Sequence, residues 1–246
     1  MFRTSNPALK EEAFRSLPRE YGAESMTVQG AVNKTGFSLL ILLAAAAFTW
    51  SQALSGQPVG LFALLGGLGG FMVALATIFK QHWAPVTTPI YAALEGLLLG
   101  GLSATYEVRY PGLPFNAVAL SVGCLAVMLA AYSSGLIRPS ERFRLGIVAA
   151  TGAIALAYLA SMLLGFFGIR LLSVFDSGPL GIGFSLFVVA LAALNLVLDF
   201  DLIEGGARAG APRYMEWYGA FALLVTLIWL YLEMLRLLAK LQDRRR

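Results

Sequence analysis

The 246-residue chain has one cysteine, one histidine and few charges, and each shortage removes a class of function. Cys124, alone in an apolar run, cannot form an intrachain disulfide. His82, also alone, cannot build a histidine metal centre, which needs several nitrogen or sulfur ligands. Only 13% of the residues are charged and 58% are hydrophobic, a balance too apolar for a soluble globule of this length. No H-E-x-x-H, Walker-type glycine loop or G-x-S-x-G occurs, nor the Y-D and G-x-G-D motifs of a membrane aspartyl protease. A retinal protein would need a lysine in the middle of its last helix, and Lys240 lies beyond the last apolar run. An enzyme is therefore not expected. Basic and aromatic residues do not interleave as on a nucleic-acid-binding surface. The formal charge of +4 lies mostly at the two ends and around 138–144, which suits anionic lipid headgroups.

What the chain has in quantity is apolar length. Seven runs, near 36–55, 59–79, 88–106, 115–136, 145–169, 179–202 and 217–238, are each long enough for a helix to cross roughly 30 Å of hydrocarbon. In lipid such spans must be helices, because an open sheet would leave backbone groups unpaired. The expected fold is all-α, a polytopic seven-helix membrane bundle over 36–238, with a polar segment at 1–35 and a basic tail at 239–246. The first run follows some 35 polar residues without a cleavage pattern and reads as a retained anchor. Proline and glycine punctuate the runs at Gly56 and Pro58, Pro85 and Pro89, Pro111 and Pro114, and Gly205 to Arg213. Small residues recur every four positions at Ala92, Gly96, Gly100 and Ala104, and likewise at Gly66, Gly70 and Ala74, so the second and third helices are expected to pack closely. With the amino terminus in the cytoplasm, Lys34, Lys80, Arg138, Arg142, Arg144, Arg208 and Arg213 fall inside, as the positive-inside rule asks. The tail, with Lys240 and Arg244, then lies outside against the rule, so either the loops outvote it or one run does not fully cross.

Against this apolar background the buried polar groups stand out, since an ionised side chain at a helix centre costs about 2.5–3.5 kcal/mol or more. Asn195 and Asp199 are four residues apart and share one face of the sixth run, whereas Asp201 points elsewhere. Glu95 is an isolated acid two turns inside the third run, expected to face inward as a cation or proton site or as a hydrogen-bonding tie. In the seventh, Thr226 and Glu233 lie nearly on one face, and Glu233 is spaced to pair with Arg236. Thr151, Tyr158 and Ser161 form a further polar stripe, lining a wet cavity or cross-bonding helices. Trp50, Trp83, Trp217 and Tyr106 lie near helix ends as interfacial anchors.

Seven runs, E-G-L-L-L-G from Glu95, L-D-F-D-L-I-E ending at Glu204, and L-Y-L-E-M-L-R-L-L from Leu230 together resemble the Bax inhibitor-1 family. The segment M-T-V-Q-G-A-V-N-K-T-G at Met26–Gly36 is similar to a bacterial branch of it. The resemblance implies a central helix surrounded by six others and a calcium-permeable leak that responds to pH in a bacterial cytoplasmic membrane. It also implies links to stress protection and to modulation of a membrane protease. A carboxylate near the end of span six is paired in that family with an aspartate of span seven. Asp199 matches the first by its spacing to Ile203, and Thr226 stands where the second is expected. Asp199 is therefore the expected main pH-responsive cation site and Glu95 the second, with Asp201 and Glu233 following. Asn195, Thr226 and Arg236 are pore or latch candidates. No resident cofactor is expected; Asp199 and Glu95 are the groups that would hold Ca²⁺ transiently, since that ion wants six to eight oxygens, some of them from water or backbone. Two other readings stay open: a non-conducting membrane protein that docks onto a partner such as a protease, and a proton-coupled exporter of small solutes.

Overall fold

The computed structural model describes residues 25–167 and 178–244, apart from the side chain of Phe166. Among them lie seven α-helices: α1 (Val28–Leu54), α2 (Gly60–Phe79), α3 (Ala84–Arg109), α4 (Leu113–Ser133), α5 (Glu141–Phe166), α6 (Pro179–Arg208) and α7 (Met215–Asp243). The chain is an all-α polytopic membrane protein. Six of the helices are long and apolar enough to cross a membrane. The exception, α3, is 26 residues long but less apolar, and it is packed against both α1 and α2. A helix covered by protein on two sides needs less apolar surface than one that faces lipid.

Helix ends follow local chemistry. Thr27 caps α1, its side chain accepting from the Gly30 amide at 2.9 Å, so the helix begins eight residues before the apolar run does. Ser140 caps α5 in the same way through the Phe143 amide, and Glu141 occupies the first turn, where the helix dipole favours an acid. The prolines read as punctuation before α3 lie within it: Pro85 sits in the first turn, where an N–H has no helical partner, and Pro89 is accommodated inside. Gly205 and Gly206 likewise do not stop α6, which runs on to Arg208. Gly56, Gly112, Gly135 and Gly210 take positive φ in the connections, a conformation other residues rarely adopt.

The residues divide into two compact units, and the division falls within α6 and α7. Among the described residues, one unit contains those of 115–198 and of 226–244; the other contains 25–114 and Asp199–Val225. In the first unit, Ile147 and Ile154 of α5 meet Val188, Leu191 and Leu198 of α6, with Trp229 of α7 packed on them. In the second, α3 is seated by small residues. A Cβ at Gly66 or Gly70 of α2 would strike Leu94, Leu98 or Glu95 of α3, which confirms the close approach of α2 and α3. The stripe on α3 itself faces another neighbour: Gly96 and Gly100 lie on the backbone of α1 at Leu42 and Ala46. Two glycine seams, not one, bring three helices together. The spacing shows which residues are small but not which helix lies opposite.

Candidate functional site

Polar groups that the helices bury collect in both units. In the first, Glu233 of α7 is 1% exposed. Its Oε1 accepts from the Tyr158 hydroxyl of α5 at 2.9 Å and from Arg236 Nη1 at 2.8 Å. The guanidinium also lies 5.0 Å from the Tyr158 ring, so one cation serves the carboxylate and the aromatic face together. Its side chain is 45% exposed, so the pair bridges the buried interior and the surroundings. The i, i+3 pairing allowed by the spacing of Glu233 and Arg236 is thus formed. Glu233 Oε2 and Ser161 Oγ are buried without a hydrogen-bond partner.

Asn195 of α6 donates to Thr151 Oγ1 of α5 and to the Leu191 carbonyl, both at 2.9 Å. The polar stripe of α5 therefore cross-bonds helices at two of its three positions, Thr151 and Tyr158. A third tie went unread in the sequence: Lys240 near the end of α7 donates to the Gly181 carbonyl (3.0 Å) and to Ser185 Oγ (2.9 Å) of α6. Arg236 and Lys240, two cations near the tail, are thereby drawn into the protein.

In the second unit, Asp199 is 1% exposed and Asp201 half-buried. Glu95 of α3 is half-buried against Gly70 of α2, where even a methyl group would lie 2.7 Å from Oε1. Among the described residues Glu95 forms no hydrogen bond or ion pair. Thr226 is buried as well.

A model of the family described as Bax inhibitor 1 like matches residues 6–243. The chain belongs to that family. Neither a search of curated proteins nor one of solved structures finds a match. Nearly the whole chain, including Asp199 of α6 and Glu233 of α7, lies within the family match. No group of three His, Cys, Asp or Glu side chains able to hold a metal ion occurs among the described residues. A cation near Asp199 or Glu95 would therefore take most of its oxygens from water or backbone.

This family member also has a polar assembly that sequence reading missed. Glu216, in the first turn of α7, accepts from the Thr27 amide and hydroxyl, both at 2.9 Å, and forms an ion pair with Lys34 of α1. Gly30 makes room for that carboxylate, which a side chain there would displace. The Met26 amide donates to the Ala211 carbonyl at 2.7 Å and completes the junction. Thr27, Gly30 and Lys34 all stand in the segment that carries part of the family resemblance, where residues 27, 30 and 34 fall on successive turns of one face. That spacing was the available signal; the partner, 182 residues from Lys34, was not legible.

Proposed function

We propose that this Bax inhibitor 1 like protein is a cation leak of a cell membrane, with calcium its expected ion and with Asp199 as the principal pH-responsive group. The observation that carries this reading is the near-complete burial of an aspartate on a 30-residue membrane helix. Intramembrane acids are costly and mark ion or proton pathways. Glu95, without a hydrogen-bonding or ionic partner among the described residues, is the second group of the pathway. Glu233 is engaged by Arg236 and Tyr158, which favours an anchoring role for it over contact with the ion. Weak, water-assisted binding at Asp199 and Glu95 suits permeation, because an ion must also leave. Protonation would remove the negative charge that attracts a cation, which supplies the sensitivity to pH. The test is calcium entry into sealed liposomes containing wild-type protein or Asp199→Asn; equal flux in both at every pH would remove Asp199 from its role.

The amino terminus is assigned to the cytoplasm. Two observations support one basic end of the second unit: the start of α1 bonds to the α6–α7 connection through Met26 and Ala211, and the Thr88 hydroxyl of α3 donates to the Trp217 carbonyl of α7 at 3.1 Å. Lys34, Lys80, Arg208 and Arg213 therefore gather at that end, the arrangement expected on the cytoplasmic side. The hydrogen bonds of Lys240 to Gly181 and Ser185 reduce the opposing vote of the tail.

A further inference from the structure

Two glycines of α2, one turn apart in its contact with α3, do different things. A Cβ at Gly66 would lie 2.5 Å from the Leu94 carbonyl oxygen and 2.7 Å from the Leu98 amide nitrogen, both backbone atoms of α3. Gly66 therefore sets how near the two helices stand. A Cβ at Gly70 would instead meet the Glu95 side chain, with Oε1 at 2.7 Å, Cδ at 3.2 Å and Cγ at 3.5 Å. These are the three nearest atoms it would meet, so the space left open at Gly70 is filled by a carboxylate and not by α3 backbone. Gly67 serves neither purpose, since a Cβ there would touch the Leu98 side chain at 3.7 Å, an ordinary contact.

Shape is what holds the Glu95 carboxylate in this notch. It forms no hydrogen bond or ion pair among the described residues. Glu216, which also rests against a glycine, is tied by Thr27 and Lys34 as well. On α3 the positions one turn to either side of Glu95, Tyr91 and Leu99, are both 4% exposed. Tyr91 is packed against the Phe221 ring at 5.0 Å between centroids. Buried side chains thus flank the acid along α3, and in front of it stands α2 backbone that carries no Cβ. We propose that Gly70 is the positioning residue of Glu95, keeping its carboxylate between α2 and α3; this rests on the reading of Glu95 as the second group of the ion pathway. A methyl group at position 70 meets only the flexible end of a side chain, so the acid would yield and the helices would stay together. The helix contact survives and the placing of the acid does not.

Two double-mutant cycles on full-length protein test this. In the first, unfolding in detergent is followed for Gly70→Ala in wild-type and Glu95→Ala backgrounds. Without the Glu95 side chain the new methyl group meets nothing closer than ordinary contact. The gain in helix propensity should then raise the unfolding midpoint as Gly123→Ala does, at a position with nothing within 4 Å of a Cβ. In wild type the crowded carboxylate should cancel that gain. Gly66→Ala should lower the midpoint in both backgrounds, because its obstacle is backbone. An equal effect of Gly70→Ala in the two backgrounds would overturn the proposal. In the second cycle, calcium entry into sealed liposomes is followed from acidic to neutral pH. Gly70→Ala should weaken the leak as far as Glu95→Gln does and add nothing when the two are combined, while Gly67→Ala should keep the wild-type leak and pH profile. A wild-type leak and profile in Gly70→Ala, beside a weakened Glu95→Gln, would overturn the positioning role alone. Glu95→Gln that leaks as wild type does would overturn the assignment of Glu95 to the pathway, and the proposal with it.

Discussion

Replacing Gly100 by alanine tests how the second unit is held together. A Cβ at Gly100 would lie 2.9 Å from the carbonyl carbon and Cα of Ala46, with the carbonyl oxygen nearer still, whereas ordinary contact begins at 3.4 Å. Because the obstacle is α1 backbone and no rotamer can relieve it, the two helices must part by about 1 Å along the seam. Overpacking of this kind costs about 1–3 kcal/mol. Helix propensity acts in the opposite sense, since alanine in place of glycine stabilises a helix interior by about 1 kcal/mol. Gly123→Ala isolates that second effect, because nothing lies within 4 Å of a Cβ there. The difference between the two variants is therefore the packing cost, about 1–3 kcal/mol. Equilibrium unfolding of purified protein in detergent measures it, with helicity as the signal. Gly100→Ala should be the less stable of the two. If it gains as much stability as Gly123→Ala, the close crossing of α1 and α3 is wrong.

Arg236→Ala should destabilise the protein more than Glu233→Gln, because the first leaves a carboxylate buried without its cation and the second keeps an acceptor for Tyr158. Tyr158→Phe should cost about 1.5–3 kcal/mol, the range for a hydrogen bond to a charged group; unfolding midpoints ranked otherwise would remove the anchoring role of Glu233. In a Cys124→Ser background, a membrane-impermeant thiol reagent added outside intact cells should label Gln57→Cys, between α1 and α2, and spare Lys80→Cys, between α2 and α3. The reverse pattern would invert the assigned orientation.

Seven apolar runs correspond to the seven described helices, because the length of hydrocarbon fixes the length of a span. Boundaries were less legible where polar residues extend a helix beyond its apolar part. Thr27 and Lys34 belong to α1 because Glu216 supplies them with partners, and no local pattern announces a partner 182 or more residues away. Pro89 and the Gly205–Gly206 pair carry breaker signals that packing within the bundle overrides. Of the candidate site, the acids could be found from their isolation in apolar sequence, as Asp199, Glu95 and Glu233 were. The partners were legible only within a helix: three residues join Glu233 to Arg236, while Tyr158 comes from a different helix. The same limit explains the glycine stripe of α3, whose neighbour is α1.

Calcium flux into sealed liposomes with a luminal dye, followed from acidic to neutral pH, tests the role of the buried aspartate most directly. The account predicts a leak in wild-type protein that changes with pH, is lost or made insensitive to pH in Asp199→Asn, and is weakened in Glu95→Gln. The absence of any leak from folded wild-type protein, or flux in Asp199→Asn that keeps the wild-type pH profile, would contradict it.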